Sequence, residues 1–480
     1  MSHSQPLPIV RRIEDLEDRT QKVFIVSLGC PKNLVDTERH LALLAQEGYR
    51  LVHTPEEADL LLVNTCSFID TAKKESVDAI LEMVDLKSPG QSLGVAGCLV
   101  DRYPEELRKE LPEVDLWLDT NGFQTEKELL HQLGPAKNPT GYVPLAMGSP
   151  SPQPQPIPWA GFSRVSLTPK HTAYLKISEG CDHSCSFCSI PSFKGKHRSV
   201  PIDLLIQEAE ALVSAGAKEL TLIGQDIISY GKDLSRDRSL NIGTLLSELD
   251  RLDGLAWIRL LYTYPTRLAD ELESAYSQLD KMIPYLDLPL QHLSDSVLQR
   301  MRRGTPYDGI RSHIERLRRV APNLVVRSTC IVGFPGETEE DYLLLKERFL
   351  ELGVDHLGVF RYSDEEGTPA VDEVDKVPIE IAEERHEEMT EWAARLCHEK
   401  ATERVGSKVR ILIDRPVAPP VELFDDVDPS GHWFEGRWYG QAPEIDGVVY
   451  FQHDEGLAPG EFVEVHLEET SYPDYRATTL

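Results

Sequence analysis

No apolar run in this 480-residue chain reaches the roughly 18 residues that a membrane-spanning helix needs, so a helical membrane protein is excluded. The N-terminus, MSHSQPLPIVRRIEDLEDRT, lacks the apolar core of a secretory signal, and a cytosolic protein is expected. Positive charge is scarce. Lys and Arg number 50 against 80 Asp and Glu, a net charge of −30. A chain built to hold DNA or RNA phosphates carries a basic surface, so the deficit argues against nucleic acid as the main partner. It suits a basic protein partner, although many soluble chains are simply acidic. Cysteines are few: 30, 66, 98, 181, 185, 188, 330 and 397. In a reducing cytosol they are expected as thiols serving metals or catalysis rather than as disulfides. Only one C-x2-C pair occurs, Cys185 and Cys188, whereas structural zinc sites usually carry two.

What is present divides the chain. Residues 1–20 read as a flexible tail. Residues 21–134 repeat one unit. KVFIVSLGC, ADLLLVNTC and SLGVAGC are short apolar runs ending in cysteine, each followed by a helix-like stretch. That alternation predicts an α/β domain with a doubly wound parallel sheet, whose ligands bind beyond the C-terminal strand ends. Cys30, Cys66 and Cys98 each fall at such an end. Three equivalent placements point to a metal site; three buried small hydrophobes are the plainer alternative. Residues 135–168, rich in Pro, Gly and Ser, read as a semi-rigid linker or strap. Residues 169–402 carry six strand candidates, TAYLKIS, ELTLIGQ, WIRLLYTYP, YLDLPLQH, LVVRSTCIVGF and HLGVFRYS, separated by helical stretches. They predict a full or partial β/α barrel closed by a long amphipathic helix. Residues 403–480 switch to short strands and read as a small all-β barrel.

Within EGCDHSCSFCSIP, at 179–191, Cys181, Cys185 and Cys188 are spaced C-x3-C-x2-C after the first barrel strand. A cube of four irons and four sulfides is usually held by four thiolates. Three leave one iron open to a substrate or cofactor, as the open position does in catalytic zinc. Gly180 permits the tight turn, and Phe187 is placed to shield the loop. A zinc knuckle completed by His183 or His197 is the competing reading.

This cysteine pattern, opening such a barrel, resembles the radical S-adenosylmethionine superfamily. VGFPGETEED, at 332–341, resembles the glycine-rich strand end that cradles the cofactor there, with Gly333 and Gly336 allowing close backbone approach. With the three dispersed cysteines and the terminal β-barrel, residues 21 to about 475 resemble the methylthiotransferases, and the last domain resembles their TRAM domain. The resemblance implies two 4Fe–4S clusters, S-adenosylmethionine, and reduction by a flavodoxin or ferredoxin. Cys30, Cys66 and Cys98 would hold the auxiliary cluster. Cys181, Cys185 and Cys188 would hold the one that yields a 5′-deoxyadenosyl radical. Gln225, Asp226 and Gln291 would contact the cofactor's amino, ribose or adenine groups. Arg327 and Glu337 would contact its carboxylate or amino group. Each of these five has an alternative as a salt-bridging or capping residue of the rim. Cys330 and Cys397 match no ligand and read as packing, His292 reads as a satisfied rim histidine, and Lys73 and Lys74 read as solvated helix residues.

Within the family, Pro31-Lys32-Asn33, IPSFKGKHRS at 190–199 and YSDEEGTPA at 362–370 resemble the branch that modifies an aspartate of small-subunit ribosomal protein twelve. The alternative branch acts on tRNA adenosine; a non-catalytic iron–sulfur scaffold is a third reading. Residues 403–480 hold 16 acidic and six basic residues, which favours a basic protein over RNA. Trp433, Trp438 and Tyr439 would either face that partner or fill the barrel core.

Overall fold

The computed structural model describes residues 10–118, 157, 160, 161 and 163–480, except 17, 236, 238, 425, 426 and 455. Among these residues no helix is long and apolar enough to cross a membrane.

The first unit is a five-stranded parallel sheet in the order Tyr49–Leu51, Gln21–Ser27, Leu60–Thr65, Ser92–Gly97, Leu116–Leu118. The inner strand Leu60–Thr65 is buried along its whole length, as expected when helices cover both faces. The two outer strands, each of three residues, were too short to stand out in the sequence. The tail expectation needs correction over its second half. Val10–Arg11 pairs with Arg164–Val165, and Leu16 is fully buried, so residues from 10 onward belong to the fold. Residues 1–9 and 119–156, most of the expected linker, lie outside the described residues.

The central unit contains all six expected strands, every one parallel. Thr172–Lys176, Glu219–Ile223 and Trp257–Leu260 form one half; Tyr285–Asp287, Val325–Val332 and His356–Arg361 form the other. The Ile258–Met282 bridge joins them. This is a partial barrel, open between its first and last strands. The helix Pro31–Gln46 packs beside the first strand, where Lys176 Nζ meets Asp36 at 2.9 Å. Helix Ile379–Thr402 packs along the last.

The third unit is a closed five-stranded barrel. It sits against the N-terminal ends of the central strands. Arg437 reaches Glu219 (2.7 Å) and Asp414 (2.9 Å), and Asp414 meets His171 (2.7 Å). Arg259 Nη1 donates to the Tyr439 carbonyl at 2.8 Å, and Tyr285 Oη donates to Asp446 at 2.5 Å. Residues 438–446 thereby plug the floor of the central barrel. Trp433 and Trp438 are buried in the small barrel, and Tyr439 packs against the same cluster and donates to the Asn323 carbonyl. The two tryptophans are core, and Tyr439 is partly buried at the edge of the cluster that holds Trp438.

Candidate active site

The dispersed cysteines converge because parallel strands end at one sheet edge. Cys30 precedes helix Pro31–Gln46, Cys66 follows Leu60–Thr65, and Cys98 opens the short helix Cys98–Arg102. Asn33 ties the three loops. Its Nδ2 donates to the carbonyls of Leu28 (3.1 Å) and Thr65 (2.8 Å), and its Oδ1 accepts from Cys98 Sγ (3.5 Å). Asn64 donates to the Asn33 carbonyl, and Ser76 brackets Cys66 through both backbone groups. Gly97 has φ +97°, and a side chain there would strike Asn64 and Thr65. Burial pushes the Cys98 thiol up to about 12, against the pull of nearby Lys194, and raises Cys66 as well.

The clustered cysteines sit on one loop beyond Ser178–Glu179. Gly180, φ +79°, lies against the Gly195 and Lys196 carbonyls where no side chain fits. Cys181 N donates to the Gly195 carbonyl at 3.1 Å. Burial raises Cys181 to about 11 and Cys188 to about 12. Cys185 Sγ lies 3.6 Å from Arg303 Nη1 and 3.8 Å from Tyr264 Oη. The Tyr264 ring is sandwiched between the Arg303 guanidinium and the His183 imidazole, the latter stacked at 3.6 Å. His183 is held by Asp226 at 2.8 Å, whose carboxylate also accepts from Ser229 and the Ile228 amide. Phe187 packs with Phe334 and Tyr362 behind the loop.

One three-residue segment lies near both sets. Tyr264 stands beside Cys185. Tyr262 lies within electrostatic reach of Cys30 and Cys66. Tyr262 holds a left-handed φ of +65°, fixed by its amide on Asp287 Oδ2 (2.8 Å). Buried ion pairs clamp the two units around this segment. Arg164 bonds Glu38 and Glu208, Arg39 bonds Glu208, Lys194 bonds Asp101, and Glu365 receives both Lys73 and Arg102.

Three family models match: uncharacterized protein family UPF0004 over residues 22–119, the radical SAM superfamily over 175–349 and the TRAM domain over 405–479. The chain is 43% identical over 462 residues to the ribosomal protein uS12 methylthiotransferase RimO of Symbiobacterium thermophilum, covering 95% of this chain and 90% of that protein. It is 44% identical to the protein of that name from Trichlorobacter lovleyi, covering 90% and 92% respectively. The chain belongs to the uS12 methylthiotransferase family. A solved structure of the radical S-adenosylmethionine methyltransferase TsrM from Kitasatospora setae aligns at TM-score 0.49 and 14% identity, over 71% of this chain and 73% of that one.

Against this membership, the remaining expected residues of the methylthiotransferase separate into two groups. Gln225 and Asp226 lie at the mouth. Gln225 Nε2 donates to Glu179, and Asp226 orients His183 as described. Gln291 also lies at a strand end, with φ +73° and its backbone bridged to Cys330. The others are committed elsewhere. Arg327 is inside the barrel, bonded to Asp287 (2.9 Å) and to Asp446 of the small barrel (3.2 Å). Its charge is neutralised there, so the expectation of a cofactor contact is corrected. Glu337 is buried on Arg385 (2.7 Å) and the Gly333 amide (3.0 Å), with His292 at 3.5 Å, so its carboxylate is consumed within the fold. A side chain at Gly333 would strike Ala382, and one at Gly336 the Arg300 guanidinium. The space these glycines leave is filled by the chain itself.

Lys73 is a bridge to Glu365 rather than a solvated residue. Cys330 and Cys397 are buried packing. His197 is bonded to Ser199 and His183 to Asp226, so both histidines that a zinc knuckle would draw on are engaged within the fold. The sequence reading missed Arg303, the tie that Asn33 makes between the three cysteine loops, and the Tyr264–His183 stack. The only signal was that Tyr264 and His183 both lie near a strand end.

Proposed function

We propose that this chain methylthiolates an aspartate of ribosomal protein uS12. In this reading Cys30, Cys66 and Cys98 hold one 4Fe–4S cluster, and Cys181, Cys185 and Cys188 hold a second that binds S-adenosylmethionine. The supporting observation is the arrangement around Tyr262–Thr263–Tyr264: one set of three cysteines, at strand ends of the sheet domain, lies near Tyr262, and the other, on the loop after the first barrel strand, lies beside Tyr264. The donor sets fit such groups. Each offers three soft sulfur ligands, and the two remaining cysteines are buried elsewhere. When bound, the groups supply a carbon-centred radical from S-adenosylmethionine at the second cluster and a methylatable sulfur at the first.

The protein's share is placement and exclusion of water. The Gly180 turn and the Arg303 contact orient Cys185. Asp226 fixes His183, which with Arg303 immobilises Tyr264 beside Cys185. Phe187, Phe334 and Tyr362 close the loop's apolar side. The buried ion pairs keep the sheet edge seated on the barrel mouth, so a sulfur donor in one unit meets a carbon activated in the other. The electron source is a small cytosolic reductant of the flavodoxin or ferredoxin class, and the enzyme acts in the cytoplasm, where ribosomes are assembled.

The test uses anaerobically reconstituted full-length protein with reductant, S-adenosylmethionine and either purified uS12 or tRNA. Mass spectrometry is expected to find CH3S in place of H on an aspartate of uS12, with 5′-deoxyadenosine formed in parallel. Modification of tRNA alone would overturn the substrate assignment. Absence of deoxyadenosine from cluster-loaded protein would overturn the chemistry.

A further inference from the structure

The cations along the boundary between the sheet domain and the central barrel have their carboxylates: Arg39 and Arg164 on Glu208, Lys73 and Arg102 on Glu365, Lys176 on Asp36, Lys194 on Asp101. Lys32 does not. It lies two residues after Cys30, half-buried, with Nζ 3.3 Å above the centroid of the Tyr262 ring and near enough to Cys66 to act on it electrostatically. Among the described residues it makes no ion pair and no hydrogen bond. A π-face compensates a partly desolvated ammonium only in part.

Nor does the helix favour a cation there. Lys32 occupies the first turn of Pro31–Gln46, whose dipole opposes positive charge, and no acidic residue in that turn offsets it. The shelf on which Lys32 rests is itself strained, since Tyr262 keeps a positive φ. A strained tyrosine supporting a cation without a carboxylate partner, near both sets of cysteines, is an arrangement suited to binding an anion.

We propose that Lys32 binds the carboxylate of the target aspartate and so sets the enzyme's choice of side chain. This rests on the functional reading above and deepens it. The β-carbon of aspartate is bonded directly to the carboxylate carbon. A cation gripping that carboxylate therefore fixes the carbon to be modified one bond away, at the boundary between the two sets. A neutral asparagine offers the same shape without the charge. The methionine carboxylate of S-adenosylmethionine has the same chemistry, so the test must separate the two sources.

Full-length wild-type, Lys32→Met and Lys32→Arg proteins are reconstituted and their iron and sulfide contents measured. Each is assayed with uS12 and with uS12 carrying Asn at the target position. Wild type is expected to prefer Asp over Asn by about 10- to 100-fold, the range for losing one charge-assisted bond. Lys32→Met is expected to load iron and sulfide like wild type and to lose that preference. The effect should fall on the KM for uS12 and not on that for S-adenosylmethionine, with partial recovery in Lys32→Arg. A Lys32→Met protein that keeps the preference overturns the assignment, as does one whose KM rises for S-adenosylmethionine instead. A wild type that modifies tRNA and ignores uS12 overturns the functional reading itself, which distinguishes the two failures.

Discussion

The two cysteine sets reach the same place by opposite routes. Cys181, Cys185 and Cys188 are local, and a single loop with one obligatory glycine brings them together. Cys30, Cys66 and Cys98 are spread over 69 positions of the numbering, and three strand ends, Asn33 and Asn64 must all be in register before they meet. A local set depends on one turn. A dispersed set depends on the tertiary structure of its domain, and here on the buried ion pairs that seat that domain on the barrel. The difference teaches that the second set is the more sensitive to packing and pH.

The sharpest way to separate the sets is to remove one ligand from each. Cys185→Ala is expected to abolish both 5′-deoxyadenosine formation and target modification. Cys66→Ala should abolish modification while deoxyadenosine still forms. Parallel chromatography of nucleoside and mass spectrometry of target check this, and loss of deoxyadenosine in Cys66→Ala would break the comparison.

Next in size is Arg164→Met. It strands Glu38 in a buried site, leaves Glu208 to Arg39 alone, and should cost about 3–5 kcal/mol of stability by chemical denaturation, because an uncompensated buried charge is left behind. Iron should be lost from the dispersed set before the clustered one.

Acid should act in the same direction. His40, buried in the helix that follows Cys30, is pushed down to about 4 by desolvation from its usual 6.5. Below pH 6.5 the unfolded chain takes up a proton that the folded chain refuses until about pH 4. Stability is therefore present above pH 6.5 and is lost as pH falls through that window, by roughly 3 kcal/mol in full. Denaturation midpoints measured from pH 7 to 4.5 should show this slope, and His40→Gln should flatten it.

The smallest effect is on the local set. Asp226→Asn keeps the shape but weakens the hold on His183, and activity is expected to fall about 10- to 100-fold, the range for losing an outer-shell partner. An unchanged denaturation midpoint would assign that loss to the site rather than to the fold.

Much of this was legible in the sequence for one physical reason. Short apolar runs ending in cysteine mark both the strands and the edge where their ends meet, so the sheet, the six barrel strands and both cysteine sets could be read directly. What could not be read depends on partners far apart in the chain. Nothing in VDTERHLALL reveals that Asp36, Glu38 and Arg39 are buried, because their partners are Lys176, Arg164 and Glu208. Arg327 and Glu337 have the residue types of cofactor contacts, yet Asp287, Asp446 and Arg385 claim them. The glycines at 333 and 336 have the look of a cradle, and packing by Ala382 and Arg300 explains them equally well. The last strand, Asp474–Thr479, offers only Tyr475 and Ala477 as apolar positions, too few to mark it in the sequence.

The small barrel is fixed beneath the floor of the central one, at the opposite end from every cysteine of either set. Strands of about five residues, such as Thr172–Lys176 and Glu219–Ile223, span roughly 17 Å, and that wall separates the anionic domain from the reaction mouth. A short peptide copy of the target loop can enter the mouth but cannot touch both places. Any help from the acidic domain is therefore open only to a substrate large enough to reach around the side. Rates measured on peptide and on whole uS12, compared at low and high salt, act as a ruler for that reach.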